Sequence, residues 1–435
     1  MEIQTDTSLM LQSLTIDDDF LHVEKYAGYL RNVIENDDWD VDEVSIKLPG
    51  SKNEISRVVE VVSQMVSEKL EYVFLVGIGG SNLGTVAIHS ALSHKYFSRN
   101  TPELINLDTI DASFIAKLKS RFDHGIDPES YLIFVISKSG GTTETIANAE
   151  LLYTEILTAP EARTKRTVII TDAGSNLMKY ADTHEISTLS IQSKVGGRFS
   201  VFSAVGMAPL YALGYDVASI QRGANDIIPY CTQADVRNNL AGLSAVYAHN
   251  CYGKGCIVYD MFCFDPSLEY IGKWQRQLLG ESLGKEENKD GDIVETGMIP
   301  TTSIGSTDLH SVGQLYLGGI RAVFTMFLSV KNREIFSIQQ EKNRYLPDLI
   351  PMISGKTTND ISSAIEQGTI DAYNEAGRPF LHAVLEDISE YELGAFMQTK
   401  MFETIYLGCL FNVNTFNQPN VEMYKKFTKE YLSAE

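Results

Sequence analysis

The sequence predicts an α/β fold with two doubly wound parallel sheets. Short runs such as Tyr72–Val76 and Tyr131–Ile136 are apolar throughout, and segments of helical periodicity separate them. Strands of this kind are typical of parallel sheets buried on both faces, and their alternation with helices indicates βαβ units. A second alternating series begins at Cys256, and 435 residues are enough for two or three domains.

The first series is predicted to begin with an amphipathic helix. Ser51 and Glu54 have the spacing of a capping box, and apolar residues from Ile55 to Val66 recur behind them at helical intervals. Strands and helices then alternate. The predicted strands are Tyr72–Val76, Leu104–Leu107, Tyr131–Ile136 and Thr167–Thr171, and the predicted helices are Leu83–Leu92 and Glu144–Leu157.

The second series is predicted to contain the strands Cys256–Phe262 and Ala322–Val330, with a long polar stretch rich in Gly, Lys and Glu between them. Two helices, Gly394–Phe411 and Val421–Ser433, close the sequence. The boundary between the two sheets is expected within residues 185–235.

Composition and charge argue against several classes of partner. The chain carries 36 Lys and Arg against 57 Asp and Glu, a net charge of −21, which repels nucleic acid and anionic membranes. The longest apolar run, Ala322–Val330, is too short to span a bilayer, and Met1–Leu14 lacks the regions of a secretion signal. Five cysteines without a C-x-x-C pair are typical of reduced thiols. We therefore expect a soluble cytoplasmic protein.

A first glycine-rich turn follows the strand Tyr72–Val76. Gly77–Gly84 begins like a dinucleotide fingerprint, but Asn82 stands where the sixth glycine belongs. Asp108, after the next strand, has the position of a ribose-binding acid and keeps a nicotinamide dehydrogenase open as an alternative. A P-loop would need Lys where Thr85 stands. A purely structural turn is equally compatible with this spacing.

A second turn, Ser137–Thr145, combines five hydroxyl side chains, two glycines and Lys138 between a strand and a helix. Hydroxyls and exposed amides can surround a phosphate monoester, and Lys138 adds positive charge. One hydroxyl would be enough for a helix cap, so the surplus favours anion binding over capping alone.

The chain has no zinc-binding pattern of His or Cys and no G-x-S-x-G elbow. Single polar residues stand out in Gly-rich surroundings instead. Arg198 follows two glycines, Glu281 lies between Gly280 and Gly284, and His310 precedes an apolar stretch. Each also has an ordinary interpretation: an ion-paired arginine, a solvated loop over residues 281–292, and a structural histidine. Lys425 and Lys426 would by themselves be a solvated helix face.

Six segments in order resemble the glucose-6-phosphate isomerase family, in its compact bacterial form. They are GIGGSNLG from Gly77, SKSGGTTET from Ser137, VGGRFS from Val195, GESLGK from Gly280, TDLHSVGQ from Thr307 and FNQPNVEMYK from Phe416. The chain departs from the family pattern at Leu283, where Asn is common, and at Pro419-Asn420, where Trp-Gly is common.

The resemblance implies reversible aldose–ketose isomerisation of glucose 6-phosphate and fructose 6-phosphate through a cis-enediol(ate), in glycolysis and gluconeogenesis, with no metal or cofactor. Glu281 would be the base that moves a proton between C2 and C1, Arg198 would lie near the enediolate, and His310 and Lys425 would assist ring opening. The residues expected to bind the substrate and its phosphate are Gly80, Ser81, Ser137, Lys138, Ser139, Thr142, Gln277 and Gln418.

The resemblance also implies sugar-isomerase (SIS) domains and a homodimer in which His310 is donated to the neighbouring site. The expected division is an N-terminal segment over residues 1–50, SIS domains over 51–200 and 201–400, and C-terminal helices over 401–435 that return to the site. A non-catalytic SIS-domain sensor of sugar phosphates is the main alternative.

Overall fold

A computed structural model describes residues 2–5, 15–93 and 102–434. The strands in these ranges are β1 (Glu2–Thr5), β2 (Tyr72–Val76), β3 (Glu103–Leu107), β4 (Tyr131–Ile136), β5 (Thr167–Asp172), β6 (Ser187–Ile191), β7 (Val258–Cys263), β8 (Lys285–Glu287), β9 (Ile293–Thr296), β10 (Ile299–Ile304), β11 (Val323–Val330) and β12 (Phe380–Leu385).

The helices lie mostly between these strands. They are α1 (Thr15–Glu35), α2 (Lys52–Val62), α3 (Leu83–Leu92), α4 (Ala112–Arg121), α5 (Thr143–Leu151), α6 (Pro160–Arg163), α7 (Asn176–Thr183), α8 (Ala204–Ala212), α9 (Val217–Asp226), α10 (Ile228–Cys231), α11 (Leu240–Gly253), α12 (Glu269–Leu283), α13 (Gly313–Gly318), α14 (Thr358–Glu375), α15 (Glu390–Leu410) and α16 (Val421–Ser433).

The first sheet has five parallel strands in the order β3-β2-β4-β5-β6. After β2 the chain continues to β3 on one side of the sheet, and after β4 it continues to β5 and β6 on the other side. The sheet is therefore doubly wound, and its topological switch point lies between these two neighbouring strands. Ligands of open α/β sheets bind in the crevice at such a point, beyond the carboxyl ends of the strands.

The second sheet has the order β1-β12-β11-β7-β10. Four of its strands, β12, β11, β7 and β10, are parallel, as the sequence predicts. The N-terminal strand β1 adds an antiparallel edge beside β12, which the sequence analysis did not anticipate. The α/β fold with parallel sheets is confirmed, whereas the division of the chain at residues 50, 200 and 400 stays a prediction.

One continuous apolar core contacts a face of each sheet, and the opposite faces have smaller cores of their own. Strand β4 illustrates the alternation: Leu132 and Phe134 point into the central core, while Tyr131 and Ile133 point into the outer one. All four side chains are fully buried. A strand buried on both faces reads as an unbroken apolar run, which is why the sequence identified β4 correctly.

Two of the helices predicted in the first series end differently in the structure. The helix after Ser51 ends at Val62, and Ser51 forms no side-chain cap there. The Glu54 carboxylate instead accepts a hydrogen bond of 3.3 Å from Gln192, so it is occupied elsewhere. The helix predicted over Glu144–Leu157 is α5 followed by a π-helical turn, Leu152–Ile156.

The polar stretch after β7 contains a fifteen-residue helix, α12, that the sequence analysis missed. Ile271, Trp274 and Leu278 are buried on its inner face. Glu281 belongs to its last turn, so the solvated-loop interpretation of that residue was wrong. Its charged neighbours begin only at Lys285, where the helix has already ended.

All five cysteines are free thiols. Of the helices described, none has the length and apolar character needed to cross a bilayer. Within the same ranges, no three His, Cys, Asp or Glu side chains are grouped so that they could hold a metal ion. The segment considered as a secretion signal falls partly outside the described residues, at residue 1 and residues 6–14.

Candidate active site

The candidate site lies at the switch point of the first sheet. The turn after β2, Gly77–Ser81, and the turn after β4, Ser137–Thr142, lie side by side there because the two strands are neighbours. The first turn approaches the end of β4 closely, since a Cβ on Gly77 would lie 3.1 Å from the carbonyl oxygen of Ile136, the last residue of that strand. Both glycine-rich turns singled out in the sequence therefore border one crevice.

Gly80 fixes the approach of a third segment, Gly196–Ser200. A Cβ on Gly80 would lie 2.1 Å from the carbonyl carbon of Gly197, closer than any side chain permits. The Ser200 hydroxyl also donates to the Gly80 carbonyl oxygen over 3.3 Å. The glycine thus serves contact between two main chains, and that contact brings the residue after Gly197 into the crevice.

That residue is Arg198, which is only 3% exposed. Its Nε donates to the Ser282 hydroxyl over 2.7 Å, and its Nη1 donates to Gln418 Oε1 over 2.6 Å. Its Nη2 donates to the main-chain oxygens of Thr415 and Asn417 over 2.6 and 3.1 Å. All four acceptors are uncharged, so the guanidinium is held rigidly without being neutralised by them.

Burial lowers the pKa of the Arg198 guanidinium to about 10, while the nearby Glu281 carboxylate acts in the opposite direction. The group still carries its full charge at neutral pH. A buried cation of this kind acts more strongly on a bound charge than it would in water, because the surrounding dielectric constant is low.

Glu281 is the partner of this cation. Its Oε2 lies 3.5 Å from Arg198 Nη1, and its Oε1 accepts a hydrogen bond of 3.1 Å from Gln277 Nε2, one turn earlier on α12. One third of the Glu281 side chain is exposed. The carboxylate is therefore oriented on two sides and still open toward the crevice.

Gln277 connects α12 to the first glycine-rich turn. A Cβ on Gly79, whose φ is +62°, would lie 2.9 Å from Gln277 Nε2. The other amide atom, Oε1, is buried and has no hydrogen-bond partner among the described residues. Gln277 therefore lies against the turn with an acceptor unused.

The Ser137 turn is ordered by its own side chains. The Ser137 and Thr142 hydroxyls are 2.8 Å apart, and Lys138 Nζ donates to the Ser193 carbonyl oxygen over 2.6 Å. Burial lowers the pKa of Lys138, and Asp172 partly opposes this. Thr142 occupies the N-cap position of α5, yet neither its hydroxyl nor any other described side chain caps that helix. The helix-cap interpretation of this turn is therefore wrong for Thr142.

Ser139 is exposed beside these residues, and Ser81 is half-buried at the end of the first turn. The crevice thus combines ten of the twelve expected residues, namely Arg198, Glu281 and the eight residues expected to bind the substrate. These eight are Gly80, Ser81, Ser137, Lys138, Ser139, Thr142, Gln277 and Gln418.

His310 and Lys425 lie outside this group. His310 ends a 3-10 turn, Thr307–His310, and is exposed. Lys425 is on α16 and forms an ion pair of 2.7 Å with Glu422. In the described part of the chain, neither side chain contacts Glu281 or Arg198.

Asp108, the residue that would bind the ribose in a dinucleotide site, accepts hydrogen bonds from two side-chain amides. Its Oδ2 accepts hydrogen bonds from Asn82 Nδ2 and Asn106 Nδ2 over 3.2 and 2.9 Å. These residues border a cleft of about 470 Å³, and among its described lining residues there is no Lys or Arg. A pyrophosphate would find no cation there.

The parts played by Ser282 and by residues 415–417 were not predicted from the sequence. Ser282 could have been found once α12 was identified, because it follows the carboxylate on a buried position of the helix. The carbonyl oxygens of Thr415 and Asn417 carry no signal in the sequence, since every residue has one.

Solved structures share this two-sheet fold. A hypothetical protein from Thermus thermophilus superposes over 100% of both chains with a TM-score of 0.83 and 25% identity. A glucose-6-phosphate isomerase from Chlamydia trachomatis superposes over 94% of this chain and 78% of that one, with a TM-score of 0.75 and 22% identity. Fold and site together define an α/β protein whose crevice joins a carboxylate and a guanidinium beside two hydroxyl-rich turns.

Sequence comparison gives the family. The profile of phosphoglucose isomerase matches residues 33–434. A glucose-6-phosphate isomerase from Methanocaldococcus jannaschii is 34% identical over 357 residues, 82% of this chain and 83% of its own. One from Carboxydothermus hydrogenoformans is 31% identical over 398 residues, 89% of this chain and 84% of its own. The chain belongs to the phosphoglucose isomerase family.

Proposed function

We propose that this enzyme interconverts glucose 6-phosphate and fructose 6-phosphate by moving a proton between C2 and C1 through a cis-enediol(ate). One observation carries the proposal: the Glu281 carboxylate lies 3.5 Å from the Arg198 guanidinium in a crevice bordered by two hydroxyl-rich turns. Family membership supports the same reaction.

Glu281 acts as the base. A proton next to a carbonyl is weakly acidic, so the base must lie within hydrogen-bond reach of it. The hydrogen bond from Gln277 and the position on a helix hold the carboxylate, while its open side receives C2. Because C1 and C2 are adjacent, the same carboxyl group returns the proton to C1, and a second acid is unnecessary.

Arg198 stabilises the enediolate. Removing the C2 proton transfers negative charge to the sugar oxygens while Glu281 becomes neutral. The guanidinium then faces one new anion in place of the carboxylate, and its four neutral acceptors leave its charge available. Groups oriented in advance at developing charge lower the barrier without reorganisation.

The Ser137 turn holds the phosphate. The N-terminus of α5 presents main-chain N–H groups that Thr142 does not cap, and Lys138 adds a cation. Ser81, Ser139 and Thr142 supply hydroxyls. Helix N-termini bind anions in this way, and the affinity gained at the phosphate holds the reacting carbons against Glu281.

Gly80, Gln277 and Gln418 complete the substrate contacts. Gly80 supplies main-chain groups at the point where the turns meet, and Gln277 Oε1 supplies an acceptor that no described residue uses. Gln418 accepts a hydrogen bond from Arg198, so its side chain binds the sugar next to the cation.

We further propose two sugar-isomerase domains and a homodimer in which His310 and Lys425 assist ring opening, His310 acting in the neighbouring subunit's site. The exposed His310 side chain does not contact Glu281 or Arg198 of its own chain in the described residues, and two exposed apolar surfaces suit a second copy of the chain. One surface belongs to the segment between β11 and α14, where Phe336, Tyr345 and Leu349 are exposed. The other is the exposed apolar face of α16. We also propose a cytoplasmic location and a role in glycolysis and gluconeogenesis.

Proton exchange tests the reaction. Incubated with glucose 6-phosphate in D₂O, the protein is expected to form fructose 6-phosphate and to introduce deuterium into the sugar at C2 and C1. The Glu281→Gln variant should lower kcat by roughly 10³-fold while sugar-phosphate binding persists. Glu287→Gln, an exposed carboxylate on β8, is the matched control and should behave as wild type.

Two results would overturn the assignment. Binding of the sugar phosphate without isotope exchange or product would favour the non-catalytic sensor. Exchange that survives in Glu281→Gln would mean that another group is the base.

A further inference from the structure

Lys285 is buried directly behind the candidate base. It is 6% exposed and follows α12 by two residues. Its Nζ donates a hydrogen bond of 2.5 Å to the main-chain oxygen of Glu281. The residues expected to form the site do not include it, and the reaction described above gives it no role.

This contact replaces a missing part of the helix. The N–H of Gly284 bonds to the Gly280 oxygen, and Gly284 itself is extended, with φ −71° and ψ 95°. The main-chain hydrogen bonds of the helix therefore end at the Gly280 carbonyl. The next carbonyl, that of Glu281, receives no N–H group from the helix, as is usual for the last carbonyls of a helix. The positive charge of an ammonium bound there also interacts favourably with the negative end of the helix dipole.

We propose that Lys285 is the positioning residue for the base: its ammonium holds the Glu281 main chain and thereby fixes the carboxylate relative to Arg198. The inference rests on the proposed isomerase function. Without this bond, the last turn of α12 can fray, and the carboxylate 3.5 Å from the guanidinium loses its anchor. Misplacement of a reacting group by about 1 Å costs on the order of 10²-fold in rate.

The charge of Lys285 depends on its surroundings. Burial lowers its pKa to about 8, the Arg198 cation acts in the same direction, and Glu281 opposes both. Arg198 comes from the Gly196–Ser200 segment and Glu281 from α12. The next residues on its own strand, Glu286 and Glu287, are exposed, and Glu286 binds Asn420. Opposite it on β9 stands the neutral Thr296.

The sign of the pH effect follows from this. Below pH 8 the ammonium is present and its bond to the carbonyl is charge-assisted, so the base is held. As the pH rises through about 8, the amine becomes neutral and the bond weakens. The proposal therefore predicts an alkaline fall in kcat that depends on residue 285.

Three variants test it, with kcat, KM and thermal unfolding measured on the full chain. Lys285→Met should lower kcat by roughly 10- to 100-fold with KM changed less than about threefold. Lys285→Arg keeps the charge and should recover most of kcat, with its alkaline limb moved upward. The control variant Lys273→Met, on α12, removes a lysine paired with Glu269 over 2.6 Å and should leave kcat and the pH profile unchanged.

The outcomes separate this inference from the proposed function. A wild-type protein that forms no fructose 6-phosphate refutes the function itself. An active wild type with Lys285→Met at full kcat, or with only KM raised, refutes the positioning role alone. If Lys285→Met does not fold, the pH profiles decide: an alkaline limb that is the same in wild type and Lys285→Arg refutes the proposal.

Discussion

Arg198 binds four oxygens, and every one of them is uncharged. Arg121 offers a contrast on the surface, where Nη1 and Nη2 each donate over 2.7 Å to the two carboxylate oxygens of Glu103. The surface arginine is paired with its carboxylate through two short hydrogen bonds, whereas the buried one is oriented by neutral oxygens and lies 3.5 Å from the carboxylate of Glu281. The planar fork of donors makes this possible, because ammonium has no comparable geometry.

Replacing Arg198 by Lys should therefore be costly although the charge is preserved. Ser282, Gln418 and the Thr415 carbonyl each accept from a different nitrogen of the guanidinium, and one Nζ cannot reach all three positions, so the cation moves and the enediolate loses its stabilisation. We expect Arg198→Lys to lower kcat by roughly 10²-fold. Steady-state kinetics with fructose 6-phosphate measures the effect.

Arg121→Lys is the matched control, because it makes the same change at an exposed ion pair of small energetic weight. Its kcat should equal that of wild type. If Arg198→Lys also keeps its rate, the charge alone is sufficient and the four neutral acceptors have no part in catalysis.

At this scale the sequence predicted residue types better than their partners. Arg198 and Glu281 stood out because glycines surround them, and the structure brings them within 3.5 Å. The acceptors of Arg198 could not be found, because two of them are main-chain oxygens 217 and 219 positions away. Only folding brings such atoms together.

Helices α9 and α15 show how closely elements approach in the central core. A Cβ on Gly394 would lie 2.0 Å from the Ile220 carbonyl oxygen, and one on Gly223 would lie 1.9 Å from that of Tyr391. Each glycine thus admits the main chain of the other helix. This close crossing fixes the position of α15, which packs along the middle of the core.

Gly394→Ala should therefore destabilise the fold. The added methyl group has only main chain to displace, and overpacking of this kind costs about 3 kcal/mol of the free energy of unfolding. Denaturant titration followed by circular dichroism measures it. Gly368→Ala, at an exposed position inside α14 with nothing within 4 Å, should instead raise stability by roughly 0.5–1 kcal/mol. Equal effects for the two variants would contradict the crossing as described.

Elements were predictable where one signal dominates. Continuous apolar runs gave β2 and β4 with their bounds, because parallel strands are buried on both faces. Helix α12 was missed because its Gly and Lys content suggested a loop, although Ile271, Trp274 and Leu278 follow helical spacing. The Ser51 capping box failed because Glu54 binds Gln192, a residue from another part of the fold.

The proposed homodimer makes a prediction for the whole molecule. If His310 serves the neighbouring site, chains carrying His310→Ala and chains carrying Glu281→Gln are complementary. Unfolded together and refolded as an equal mixture, they form mixed dimers in which one of the two sites has both native side chains. The mixture should recover about one quarter of the wild-type rate with cyclic glucose 6-phosphate as substrate.

Each variant refolded alone is the control and should stay at its own low rate. A mixture that is no faster than the average of the two controls would mean that His310 acts within its own chain or has no part in the reaction. Sedimentation of the mixture establishes independently whether two chains associate.

The four hydrogen bonds that hold Arg198 have a consequence for the chain while it is being synthesised. Residues 415–418 reach the ribosome exit long after the carboxylate and the guanidinium, yet three of the four contacts that orient the guanidinium come from them. A nascent polypeptide that already contains both reacting groups can orient the guanidinium only through its contact with Ser282. We expect the crevice to acquire its final geometry only after residues 415–418 have folded onto Arg198, late in the synthesis of the chain.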